Sequence, residues 1–211
     1  ILHRLSPGNL FPKGNSELIP EMLEEEKAVE SAIYVGDNFE LTPRLSVYLG
    51  LRYSFYHYLG PKTIYSYAEG VPKSNSTITD TTSYGSNVVI TNYHGPEYRF
   101  SARYSLDQQS SLKLSYHRMR QYIHVLSNTT AISPTDTWKL SDPNIRPQVG
   151  DQVSLGYYRN FRNNTIEGSV DVYYKTVQDV LDFKGGATLI LNETIEQDLL
   201  SAFNKSYGIE F

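Results

Sequence analysis

The chain contains no cysteine, so disulfides and cysteine-ligated metal sites are excluded, and the redox state of its compartment leaves no trace in it. It has no uncharged run of about 18 apolar residues, so it offers no membrane-spanning helix. Hydrophobic residues make up 39% and mean hydropathy is −0.42. Those values do not exclude a membrane, because barrel strands alternate apolar and polar side chains and average to a soluble-looking figure. An excess of positive charge is also missing. A net charge of −4 and a pI near 5.7 argue against nucleic acid as a partner.

Chemistry-bearing motifs are absent too. His3, His57, His94, His117 and His124 show neither i, i+4 nor HExxH spacing, so no metal site is expected. No GxSxG, P-loop or GxGxxG pattern occurs, so neither a catalytic residue nor a cofactor is expected. Glu167 and Asp171 share one face of one strand, about 13 Å apart at roughly 3.3 Å per residue. That exceeds the roughly 5–9.5 Å of a glycosidase pair. Ile1 is neither Met nor the start of a basic-then-apolar leader, so a fragment or processed product is expected.

What is present is alternation. Between Gln152 and Lys175, Val153, Leu155, Tyr157 and Phe161 alternate with polar residues. After Arg162-Asn163-Asn164, so do Ile166, Val170, Val172 and Tyr174. A period of two over ten or more residues means a long strand with one apolar face. The same pattern predicts strands at about 27–41, 45–58, 97–106 and 111–124, and a last one from about Lys205. Asp37 falls on the apolar side of the first, which suggests a bulge there. Past Tyr116 the apolar side of the fourth becomes Arg118 and Arg120, which marks a rise above apolar surroundings or a contact for anionic lipid. A helix capped by Asn192 is expected over 193–203. Tyrosine is abundant, 18 against 8 Phe and 1 Trp, which suits strands and equally the bands flanking a bilayer.

The connections alternate short and long. Residues 42–44, 107–110 and 162–164 are short, whereas about 59–96, 126–148 and 177–204 are long and polar. All short turns therefore lie at one end of the sheet. That asymmetry belongs to outer-membrane barrels, with short periplasmic turns and long extracellular loops. A soluble β-sandwich binding or adhesion module, with connections of mixed length at both ends, is the alternative. The expected fold is all-β: a single partial domain over 1–211, an arc of a large antiparallel transmembrane barrel. It has about six full strands over 27–211, preceded by a loop over 1–26.

Several stretches resemble the barrel of TonB-dependent outer-membrane receptors, particularly of Bacteroidetes type. Asp142-Pro143-Asn144-Ile145-Arg146-Pro147-Gln148, followed by Val153-Ser154-Leu155-Gly156-Tyr157, is similar to the family's "NPNLKPE" and "YELGL". Gly50-Leu51-Arg52-Tyr53 resembles "GLRY", and Asp171-Val172-Tyr173-Tyr174-Lys175 resembles "D-x-Y-Y-K". Ser206-Tyr207-Gly208-Ile209-Glu210-Phe211 resembles an internal "S-x-G-[IV]-E" strand, which would make Phe211 a truncation point. The resemblance implies a 22-stranded barrel closed by a plug, located in the bacterial outer membrane. It implies import of a siderophore, vitamin, glycan or peptide with energy relayed by TonB. The implied partners are outer-membrane lipid, the plug, the remaining barrel strands and, indirectly, the TonB system.

On this reading Leu45, Val47, Leu49, Leu51, Tyr53, Phe55, Phe100, Leu114, Leu155, Val170 and Val172 face lipid. Arg52, Arg99, Arg103, Lys113, His117, Glu167, Asp171 and Lys175 face the lumen. A hydrated interior needs both charge signs whatever is carried; the Arg99/Arg103 pair could also contact an anionic substrate or the plug. Tyr65, Tyr67, Tyr84, Tyr93 and Trp138 are loop aromatics, suited to stacking on a ligand or to packing loops together.

Overall fold

The computed structural model describes residues 1–6, 9–10, 21–127, 137–162, 165–187 and 192–211. Its strands in chain order are β1 (Leu2–Leu5), β2 (Asn9–Leu10), β3 (Glu21–Met22), β4 (Glu26–Thr42), β5 (Leu45–Leu59), β6 (Lys62–Tyr67) and β7 (Ile78–Tyr84). They continue with β8 (Val89–Ser105), β9 (Ser110–Gln121), β10 (Ile123–Leu126), β11 (Thr137–Leu140), β12 (Gln148–Phe161), β13 (Ile166–Phe183) and β14 (Leu199–Glu210). Eight of them form one antiparallel sheet, ordered β1-β4-β5-β8-β9-β12-β13-β14, and the sheet does not close on itself. The short strands pair separately as β2–β3, β6–β7 and β10–β11.

Register follows the alternation of the sequence. Val47, Ala102, Leu114, Leu155, Val172 and Ile209 stand in one cross-strand row. Leu49, Phe100, Tyr116, Val153, Tyr174 and Tyr207 form the next. A slip by one residue would turn every one of these side chains over, so the pattern fixes the pairing. No second layer covers this apolar face among the described residues. Val35 is 69% exposed, Leu49 49% and Leu155 48%. A sandwich would bury that face, so the sandwich alternative is corrected here: the long strands make one sheet.

The short connections, Pro43–Arg44, 106–109 and 162–165, lie at one end. In the second, Asp107 accepts from the Gln109 amide at 2.7 Å and from the Ser110 hydroxyl at 2.7 Å, an Asx-type turn. The third begins with Arg162 in the left-handed region, φ 48°; Asn163 and Asn164 lie outside the described residues. The long connections, 6–25, 60–88, 122–147 and 184–198, gather at the opposite end.

Four expectations are corrected. The chain enters the sheet at β1, not at residue 27, because Leu2–Leu5 pairs with Glu26–Val29. β8 starts at Val89, not near 97, since its first half, without regular alternation, still pairs with β5, Tyr93 standing opposite Tyr56. Backbone hydrogen bonding carries a strand past the point where side-chain alternation stops marking it. The helix over 193–203 shrinks to one 3-10 turn, Ile195–Gln197, and Leu199 onward joins β13 as β14. Edge pairing with a long neighbour there outweighs weak helix propensity. The register shift in β4 lies between Glu40 and Thr42, so Asp37 stays in the apolar rows.

Candidate functional site

The other face of the sheet is polar and carries all eight predicted lumen residues. Gly50, Arg99, His117, Gln152 and Lys175 form one row, and Ser46, Arg103, Lys113, Gly156 and Asp171 form another. Arg52 is fixed between two carboxylates, at 2.9 Å from Glu30 and 2.5 Å from Glu97, and His3 lies 3.2 Å from Glu30. Arg103 donates to Ser111 at 3.2 Å, Ser115 and Ser154 share a 2.6 Å bond, and Tyr158 donates to Asp171 at 2.7 Å. Glu167 stands opposite Asn160, on the same face. Arg99, Lys113, His117 and Lys175 add charge and titratable groups without a partner built among the wall residues described here.

Two glycines of this face make room for a ring. A Cβ on Gly36 would lie 2.7 Å from Tyr48 Oη, and one on Gly50 3.0 Å from the same atom. The Tyr48 ring therefore lies flat along the wall, covering backbone that glycine leaves bare.

Toward the loop end the same face turns from charged to aromatic. Tyr56 and Tyr58, in line with Arg52 on β5, are fully buried with Ala28, Tyr122 and Leu140. Tyr56 stacks on Tyr122 at 4.6 Å and 5°. Its hydroxyl donates to the Ser141 carbonyl at 2.8 Å, and Tyr93 donates to the Asp142 carbonyl at 2.8 Å. Ser54 and Tyr122 share a 2.8 Å hydroxyl bond. The described parts of the connection between β9 and β12, residues 122–127 and 137–147, thus fold back across β8 and β5 to β4.

An ion cluster pins it there. Lys139 contacts Glu26 and lies 3.1 Å from Asp142, and all three side chains are 8% exposed or less. Glu26 also accepts from the Leu140 amide at 2.9 Å. Burial works against the Lys139 ammonium, but the carboxylates of Glu26 and Asp142 outweigh it and hold the group well above its usual range. His124, 2.9 Å from the Ser141 hydroxyl, is pushed down to about 4 by burial.

A cleft of about 440 Å³ opens beside this loop, lined by Lys73, Asn144, Ile145, Asp179, Lys184 and Leu199 among others. Lys73 donates to the Asn144 carbonyl at 2.8 Å, and burial lowers its basicity. Of the loop aromatics, Tyr67 donates to Glu196 at 2.8 Å, and the Tyr65 carbonyl accepts from Asn144 at 3.0 Å. Both, with Tyr93, tie loops together. Tyr93 lies within β8, and Tyr84 stands opposite Lys62 in the β6–β7 hairpin. Trp138, 55% exposed in β11, is free to stack. The buried cluster escaped sequence reasoning, although one signal was there: on β5 the polar positions become Tyr56 and Tyr58 after Arg52 and Ser54.

A wall apolar on one face and polar on the other, with short turns at one end and loops folded over the polar face at the other, is an arc of an outer-membrane β-barrel. The family model described as TonB dependent receptor-like, beta-barrel matches residues 9–211, and the chain belongs to that family. It is a fragment of the barrel wall of a TonB-dependent transporter, located in the bacterial outer membrane. Members of the family are transporters rather than enzymes. No curated protein matches the chain.

Proposed function

We propose that this arc separates lipid from the import path of a siderophore, vitamin, glycan or peptide. Leu45, Val47, Leu49, Leu51, Phe55, Phe100, Leu114, Leu155, Val170 and Val172 meet the bilayer, and Arg52, Arg99, Arg103, Lys113, His117, Glu167, Asp171 and Lys175 line the path beside the plug. Trp138, with Tyr65 and Tyr84, stands where incoming substrate first meets the loops.

One observation carries the reading. The apolar stretch does not end at the same cross-strand row on every strand; the band it forms is oblique. Its lower edge passes from the Leu45 row on β5 to Ile166 on β13, four residues below Val170, which is Leu45's own row partner. Across four strand spacings of roughly 4.8 Å, that drop of roughly 13 Å is a slant of about 35°. The upper edge passes from Phe55 to Tyr174, which shares the row of Leu49, six residues lower. That is a slant of about 45° in the same sense. A horizontal slab cut through strands tilted 35–45° leaves this trace, and barrel strands have that tilt. Tyrosine and phenylalanine rim the band, with Tyr53, Phe55, Tyr98, Tyr116 and Tyr174 above and Tyr104, Tyr157 and Phe161 below, in the manner of interfacial belts. On β5 the band runs from Leu45 to Phe55, roughly 33 Å along the strand and about 25 Å in height at that tilt, the thickness of an outer-membrane apolar band.

Leu49→Arg in the full-length receptor tests this. A charge near mid-band costs roughly 2–4 kcal/mol, so assembly into the outer membrane is expected to fail or drop sharply, while Tyr48→Arg on the opposite face assembles. Normal assembly of Leu49→Arg would sink the reading.

A further inference from the structure

We infer that the cleft among the loops seats the carboxylate end of a short apolar peptide, held by Lys73, Lys184 and Arg146. The inference rests on the import reading above and deepens it, naming peptide as the class of cargo.

Three connections and two strand ends build the cleft. Residues 60–88 bring Lys73, the described part 137–147 brings Ile145 and Arg146, and 184–198 bring Lys184 and Glu196. Hydrogen bonds fix these loops to one another. Lys73 donates to the Asn144 carbonyl at 2.8 Å, and Lys184 to the Gln197 carbonyl and, at 3.4 Å, the Lys73 carbonyl. Gln197 also donates from its side chain to Asn75 at 2.8 Å. On the strand side β13 shifts register between Val177 and Val180, and Asp179 there has φ 56°. Such bulges re-aim side chains beside sites; this one leaves Asp179 lining the cleft, accepting from the Ser201 hydroxyl at 2.9 Å. The volume, about 440 Å³, is that of a small-ligand site, which holds roughly 300–1,000 Å³.

Charge points to the ligand's acidic end. Lys73 and Lys184 are half-buried, yet their bonds go to carbonyls, which satisfy a donor without neutralising an ammonium. The two carboxylates of the lining are engaged elsewhere, Asp179 by Ser201 and Glu196 by the Tyr67 hydroxyl at 2.8 Å. Among the described residues neither lysine, nor Arg146, has an ion-pair partner. Burial lowers the basicity of Lys73, and Lys184 and Arg146 push the same way against Asp142 and Glu196. An arriving carboxylate supplies the counter-charge that the fold leaves out.

The rest of the lining selects what carries that carboxylate. Ile145, Leu181 and Leu199 offer an apolar surface, and no aromatic ring lines the cleft among the described residues. A neutral glycan would set hydroxyls against that surface and leave the cations unanswered. A simple fatty acid would answer the cations alone. The terminal residues of a peptide place apolar side chains on the leucines and a carboxylate on the lysines, and an amino terminus can meet Asp179 and Glu196.

The test titrates the full-length receptor in detergent micelles with trileucine, trileucine amide, octanoate and maltotriose, read by calorimetry. Trileucine is expected to bind at least about tenfold more tightly than its amide, which lacks the charge-assisted bonds. Lys73→Gln and Lys184→Gln should each weaken trileucine by about tenfold and leave the amide unchanged. Equal affinity for acid and amide, or variants that bind trileucine as the parent does, would overturn the inference. Maltotriose binding in place of trileucine would overturn it too, and octanoate binding as tightly as trileucine would overturn the peptide assignment. Should Lys73→Gln loosen the loops, seen as new protease cleavage within 60–88, Arg146→Gln carries the same comparison, since that side chain is exposed. Leu49→Arg keeps the two readings apart: if it assembles normally the lipid face itself is lost, whereas if it fails and trileucine does not bind the parent, only the cleft's role is lost.

Discussion

Single residues at the loop end hold the folded connection 122–147 against the wall, and each can be removed separately. Lys139 is enclosed with Glu26 and Asp142. Taking away one member of a buried ion cluster strands the others, at about 3–5 kcal/mol. Lys139→Ala is therefore expected to release the connection, seen as new protease cleavage within it on intact cells while the barrel remains assembled. Tyr56→Phe removes only the bond to Ser141, about 0.5–1.5 kcal/mol, and should leave the connection protected. His124 adds a pH dependence. Its folded value of about 4 lies below the unfolded 6.5, so between those values the released loop binds a proton that the docked loop refuses. Docking is full above about pH 6.5 and weakens as pH falls toward 4, by an amount on the order of 3 kcal/mol over the whole window. Protease protection of the loop should fall across that window in the parent and stay flatter in His124→Asn.

At the scale of elements the turns and hairpins are sorted by end. Gly70 and Gly186 sit in left-handed turns, φ 76° and 82°, with open space around them, so an inserted epitope is tolerated there. Tags at Gly70 and Gly186 should bind antibody on intact cells, whereas one at Gln108 should bind only after the outer membrane is permeabilised. The reverse pattern would contradict the sorting. This sorting was legible from sequence because alternation and turn residues fix both strand and connection length. The hairpin of β12 and β13 was legible for the same reason, although its exact register was not: the connection is one residue longer than the turn 162–164, so Leu155 stands opposite Val172. Strand ends were less legible. Residues 89–96 mix Val89, Ile90 and Tyr93 with Thr91, Asn92, His94, Gly95 and Pro96, so no clean period of two marks them. The cluster of Glu26, Lys139 and Asp142 was illegible for a different reason: Glu26 lies more than a hundred residues from the other two, and no local pattern joins Lys139 to it.

For the whole molecule, the decisive relation is between band and register. Alternation alone would suit any two-faced sheet. The oblique course of the apolar band adds a direction in space, the membrane normal, which one sequence segment cannot contain and which only the pairing of successive strands brings out. On the proposed reading it also accounts for the buried apolar core that, among the described residues, lies on the polar face at the loop end: with hydrocarbon on the other face, protein need not cover it. A nitroxide scan along β5 from residue 45 to 55, one site at a time in the full-length receptor in lipid vesicles, measures this most directly. Collision with oxygen, which concentrates in hydrocarbon, should be high at odd positions such as 47, 49 and 51, and low at even ones such as 48 and 50. Equal oxygen collision at odd and even positions, or the opposite alternation, would contradict a lipid face on the Leu49 side.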